Sequence, residues 1–168
     1  MRTEVLAFLA LPCGFLAGMS AAARLKQRET ALLETRQFLL ALKLSLEFSG
    51  APLSALLSAL AEDERFRSLS FLQSLFRRLA DGAALPAAWQ KAARDEGKRL
   101  GPAGAALLGR LGSLLGTTDK PGQLEVFSRE LAALDELCEN AKEKRRRCAG
   151  LYRAAGAFAG AAVFLLAV

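Results

Sequence analysis

An uncharged segment lies at each end of the chain, and each is bordered on its inner side by basic residues. No other feature limits so strongly what the chain can become. From Gln123 onward a soluble-looking helical stretch runs into Lys142-Glu143-Lys144-Arg145-Arg146-Arg147 and then into the uncharged Ala154–Val168. The N-terminus repeats this order in mirror image, with uncharged Val5–Ala23 followed by Arg24, Lys26 and Arg28. The three textures suit protein packing, an anionic headgroup layer and hydrocarbon, respectively.

Val5–Ala23 holds 19 residues, which as a helix cover about 28 Å, enough to cross the hydrocarbon core of a bilayer. Ala154–Val168 holds only 15 and needs Leu151, Tyr152, local thinning or a snorkelling Arg153 to span fully. Of the 23 Lys and Arg only Arg2 lies outside residues 24–153, so the net charge of +6 sits between the two apolar segments. Lys and Arg beside a spanning helix are retained in the cytoplasm. Both flanks therefore place the middle of the chain there and both termini on the far side. A cleaved signal peptide is the rival reading of the first segment, imitated by Arg2 and Ser20-Ala21-Ala22-Ala23. Cleavage would export a domain with two basic flanks, against the charge rule. The expected organisation is an N-terminal anchor over 1–23, a cytoplasmic domain over 24–153 and a C-terminal transmembrane segment over 154–168.

The middle is helical by composition. Val and Ile are nearly absent, while Ala, Leu, Glu, Lys, Arg and Gln dominate. Leu25, Leu32, Leu39, Leu42 and Leu46 form an apolar stripe at helical spacing, predicting one helix from the first anchor to about Phe48. Gly50 breaks it, and Pro52 opens a short helix over Ala51–Ala61. A charged turn follows at Glu62–Arg67. The third helix is expected over Ser68–Ala80, with Leu72, Leu75, Phe76 and Leu79 inward and Asp81-Gly82 as its stop. The fourth starts at Leu85-Pro86, carries Trp89 and fades at Gly101-Pro102, and the fifth covers Ala103–Leu115. In the last helix, Leu124, Phe127, Leu131, Leu134, Cys138 and Ala141 recur at steps of three and four, a seam for another helix. The fold class is therefore all-α: a cytoplasmic six-helix bundle between an N-terminal and a short C-terminal transmembrane helix.

Catalytic parts are missing. Without any His, the Ser-His-Asp, Cys-His and H-E-x-x-H arrangements are impossible, and no P-loop is present. Cys13, Cys138 and Cys148 form no C-x-x-C and read as small buried or interfacial residues of a reducing compartment. The glycines of Gly101-Pro102-Ala103-Gly104 and of Gly109 to Gly116 read as close helix contacts or caps. No enzyme, cofactor or metal is expected. Gly14 with Gly18 and Gly156 with Gly160 form G-x-x-x-G pairs. Small residues at that spacing let the apolar segments pair with each other, with partner helices or with a second copy of the chain. Lys142–Arg147 lacks interleaved aromatics, so contact with membrane lipids explains it more simply than nucleic acid.

Leu115-Gly116-x-x-Asp119-x-x-x-Gln123 resembles the Leu-Gly-x-x-Asp-x-x-x-Gln signature of the stage III sporulation protein AB family. Other features agree in order and spacing: Gly14 and Gly18 in the first anchor, a long helix ending in Glu47, Pro52-Leu53, Ala88-Trp89, Lys144, and Leu151-Tyr152-Arg153 before a short glycine-containing anchor. Ala51 stands where the family has Thr. The resemblance implies a domain similar to the type II secretion F-type platform proteins. It also implies a place in the mother-cell membrane around the forespore, within a secretion-like channel complex. The implied partners are a secretion-type ATPase, stage III sporulation protein AA, and other channel subunits. At the start of the last helix, Asp119 and Gln123 would cap and position it, with Gly116 supplying the exit from the helix before. Whether that turn also meets a partner stays open. The rival class is a free-standing holin-like pore or a helical module that binds the membrane surface.

Overall fold

The glycine and proline punctuation divides the chain into helices much as its spacing predicts. The computed structural model describes the backbone of residues 2–67, 69–114 and 120–167, and the side chains of 20, 22–67, 69–114, 121–148 and 151. These residues form six helices and no strand: α1 (Arg2–Phe48), α2 (Leu53–Glu62), α3 (Ser70–Ala80), α4 (Leu85–Asp95), α5 (Gly97–Leu114) and α6 (Lys120–Ala167). The chain divides into two units, one made of 28–139 and the other of 1–27 with 140–168. Both α1 and α6 contribute to each.

The 28–139 unit is an α-helical bundle whose core is aromatic at its centre. Trp89 of α4 is fully buried and its Nε1–H donates to the Leu108 carbonyl of α5 at 2.7 Å, which satisfies its one polar atom. Phe71 of α3 meets the indole edge-to-face at 4.9 Å between ring centroids. Phe38 of α1 lies 5.9 Å from Phe66 and 6.0 Å from Phe71. Leu32, Leu39 and Leu42 of the predicted α1 stripe are buried as well, whereas Leu25 and Leu46 are half-buried.

Three departures from the sequence pattern matter. The predicted charged turn at Glu62–Arg67 contributes a core residue, since Phe66 is 4% exposed. There Asp63 accepts from the Arg65 backbone N–H and guanidinium, folding the polar residues outward and the ring inward. The expected fourth helix is interrupted early. Its backbone turns at Glu96, and α5 starts at Gly97. Glu96 is buried because Ser70 donates to its carboxylate at 2.5 Å and Arg99 approaches it at 3.6 Å, so the break also secures α3 to the α4–α5 corner. In α3, Phe71 is buried where the pattern pointed to Phe76, which is half-buried.

The stops behave as their chemistry requires. Gly82 takes φ +83° after α3, while Ala83 N–H donates to Arg78 and Gly82 N–H to Leu79, the paired bonds of a glycine C-cap. Gly101, at φ 78° and ψ 169°, kinks α5 just before Pro102. At that kink the Leu100 carbonyl accepts a hydrogen bond from Arg28 Nε of α1 at 3.2 Å. Further along α5, Gly104 packs beside Leu100 and Leu32, and Gly112 lies against the Trp89 ring.

Among the described residues, no helix is long and apolar enough to cross a membrane. Most side chains of the two uncharged segments lie outside the described residues.

Candidate functional site

The last helix carries most of the residues singled out by sequence, and it enters the bundle through its seam. Phe127, Leu134 and Cys138 are buried, with Leu124, Leu131 and Ala141 half-buried beside them. Burial and nearby Asp135 push the Cys138 thiol up from its ordinary range, so it is a poor nucleophile. One position in this helix was not legible as core. Glu130 is 4% exposed, and its carboxylate is met by the Arg110 guanidinium of α5 at 2.7 Å and by Arg129 at 3.8 Å. The hydrogen bond to Glu130 raises the Arg110 pKa, keeping the pair ionic. A second ion pair, Arg36 with Asp135, connects α1 to α6, and that hydrogen bond likewise raises the Arg36 pKa.

Gly116 and Asp119 lie outside the described residues. Gln123 is half-buried in the first turn of α6 and has a polar partner. The basic flanks separate into different environments. Arg24, Lys26, Lys144, Arg146 and Arg147 are exposed, with Arg147 donating to Glu143 one turn away at 2.5 Å. Lys142 and Arg145 are half-buried and engaged. Arg28, grouped by sequence with the membrane-flanking bases, turns its guanidinium onto the α5 kink instead of leaving it in solvent. The side chains of Arg153, Gly14, Gly18, Gly156 and Gly160 lie outside the described residues.

Sequence reasoning missed a second apolar stripe on α1. Leu33, Leu40, Leu44 and Phe48 are 43%, 39%, 45% and 81% exposed, and their steps of seven, four and four place them on one outer face. The signal was present: α1 has Leu residues on two faces, and one face suffices for the bundle. Among the described residues no group of His, Cys, Asp and Glu is arranged to hold a metal ion.

The described residues thus define an all-α bundle with a packed aromatic centre, an ion pair joining its two long helices and an exposed leucine face on α1. The chain belongs to the stage III sporulation protein AB family, whose model matches residues 5–168, and it is therefore a sporulation protein. No curated protein and no solved structure matches it.

Proposed function

We propose that the protein is a membrane-anchored platform in a secretion-like channel complex between mother cell and forespore, where it mounts a cytoplasmic secretion-type ATPase beside the channel subunits. The observation that carries this reading is the Arg36–Asp135 pair. It ties α1 to α6, the two helices that contain the uncharged segments, inside one bundle. A mount has to transmit force from a motor to the membrane, and two anchoring helices fixed to each other lose less motion than a single tether. Family membership supports the sporulation setting. The uncharged segments of the sequence support insertion in the mother-cell membrane around the forespore, with the bundle cytoplasmic and both termini on the far side. Exposed Arg24, Lys26, Lys144 and Arg146 suit anionic headgroups.

The test is capture of stage III sporulation protein AA by the full chain in lipid nanodiscs. Saturable, bundle-dependent capture is expected. Failure to capture, together with dye leakage from liposomes holding the purified chain alone, would replace the platform with a pore. Asp119→Ala probes the turn before α6. A less stable protein that still captures the ATPase would make that turn a cap only.

A further inference from the structure

The outer face of α1 that the bundle leaves bare has the spacing of a seam. Its exposed residues Thr30, Leu33, Gln37, Leu40, Leu44 and Glu47 recur at alternating steps of three and four, and exposed Phe48 adjoins the last. They lie within an arc of about 100° on the helix. A second stripe of the same helix, with Leu32, Phe38, Leu39 and Leu42, is buried in the core. α1 thus carries two seams, and the bundle fills one. From Thr30 to Leu44 the open seam positions hold no charge.

Heptad spacing of this kind fits a second helix, and the residues show whose helix it is. In a parallel two-fold pair each seam position meets its own copy. Leu33 and Leu40 then occupy the positions where leucine favours two strands, and the Gln37 amide, both donor and acceptor, bonds to the same amide opposite. The far end of the seam complements itself as well. Neither Lys43 nor Glu47 has an ionic partner among the described residues, and Phe48 is 81% exposed. In the parallel register Lys43 of one copy flanks Phe48 and Glu47 of the other, and symmetry makes that contact twice. Glu29 and Glu34, which this register brings near each other, are each engaged within their own chain, Glu34 by Arg99 at 3.6 Å. We infer that α1 pairs in parallel with α1 of a second copy of this chain along the face from Thr30 to Phe48.

The size of the face sets the conditions. It is about 27 Å long and one helix wide, roughly 300 Å² per copy, where a stable free interface buries about 800 Å² per partner. A contact this small holds between copies that are already concentrated, as chains anchored in one bilayer are. Anchors in one membrane also give both α1 helices the same direction. The pairing therefore rests on the membrane-anchored reading above, though not on the ATPase.

The test is disulfide cross-linking of the full chain in liposomes, in a Cys13→Ser/Cys148→Ser background that keeps the buried Cys138. Thr30→Cys and Leu44→Cys, oxidised separately, are each expected to give a covalent dimer at least about fivefold above Arg77→Cys, an exposed position on α3. Adding Leu40→Glu to Thr30→Cys is expected to lower the dimer yield about fivefold or more, with a melting temperature near the parent's because Leu40 is exposed. Yields no higher than that of Arg77→Cys would overturn the pairing. So would a folded Leu40→Glu variant that cross-links as the parent does. A dimer formed only on mixing Thr30→Cys with Leu44→Cys chains would mean antiparallel helices and overturn the parallel register. Flotation of the same liposomes separates the two readings: a chain that floats with lipid without cross-linking overturns the pair alone, whereas one that does not float overturns the anchor and the pair together.

Discussion

Gly112 of α5 lies so close beneath the Trp89 ring of α4 that a Cβ added there would overlap the indole. The hydrogen bond from Trp89 Nε1–H to the Leu108 carbonyl fixes the ring at that site, one helical turn before the glycine. Gly112→Ala is expected to destabilise the bundle by about 1–3 kcal/mol, because a fully buried tryptophan has nowhere to retreat. Denaturant unfolding followed by circular dichroism measures this. Combining Gly112→Ala with Trp89→Leu should cost less than the sum of the two single changes, since the second removes the ring that the first collides with.

Glu130 is buried on α6 with only cationic partners, so its stability contribution depends on Arg110. Arg110→Met leaves that carboxylate largely uncompensated and is expected to cost about 2 kcal/mol, somewhat less than for a fully enclosed pair because Arg110 is half-exposed. Arg110→Met/Glu130→Leu should recover most of the loss. A double-mutant cycle in urea checks both expectations.

Gly101 has φ 78° and ψ 169°, a region open essentially to glycine, and a Cβ there would also stand 2.6 Å from an Arg28 nitrogen. Gly101→Ala is expected to cost about 1–3 kcal/mol. Arg28→Ala should not rescue it, because the flexible guanidinium can move while the backbone strain remains. Thermal melts of the two single variants and the double variant separate the causes.

Asp95 accepts from the Arg78 guanidinium at 2.6 Å and from the Ser74 hydroxyl at 3.0 Å, and the Arg78 bond is the main cause of its lowered pKa. With the folded pKa below the unfolded one, the pair contributes stability above the unfolded carboxylate range, about pH 4, and loses it as pH falls through the folded value. Asp95→Asn should therefore be less stable near neutrality by at most about 1 kcal/mol, given the pair's exposure. The difference should vanish in stronger acid. Parallel acid titrations of the two proteins, followed by circular dichroism, test this.

Cys138 is buried with a raised pKa, whereas Cys148 is half-buried directly after the basic run. In a Cys13→Ser background a thiol reagent should label Cys148 in the native protein and Cys138 only on unfolding. Mass spectrometry after graded denaturant reports the order.

The sequence by itself determined the helical class, the end of α1 at Phe48, the glycine stop after α3, a break in helical backbone at Gly101-Pro102 and the Phe127–Leu134–Cys138 seam. Each of these is a local matter: propensity, periodicity, or a residue whose own backbone rules decide the conformation. Only the tertiary structure decided that Phe66, set in a run of charges with no period, turns into the core, or that the backbone breaks at Glu96 because Ser70 and Arg99 hold its carboxylate there. The same holds for Glu130, which differs from an exposed glutamate only by the arginine that another helix brings to it. The five α5 glycines look alike in sequence, yet Trp89, Leu100 and the positive φ account for Gly112, Gly104 and Gly101, whereas Gly97 and Gly109 have room for a Cβ. Burial and pairing depend on residues far apart in the chain, and periodicity along one helix carries no information about what its neighbours present to it.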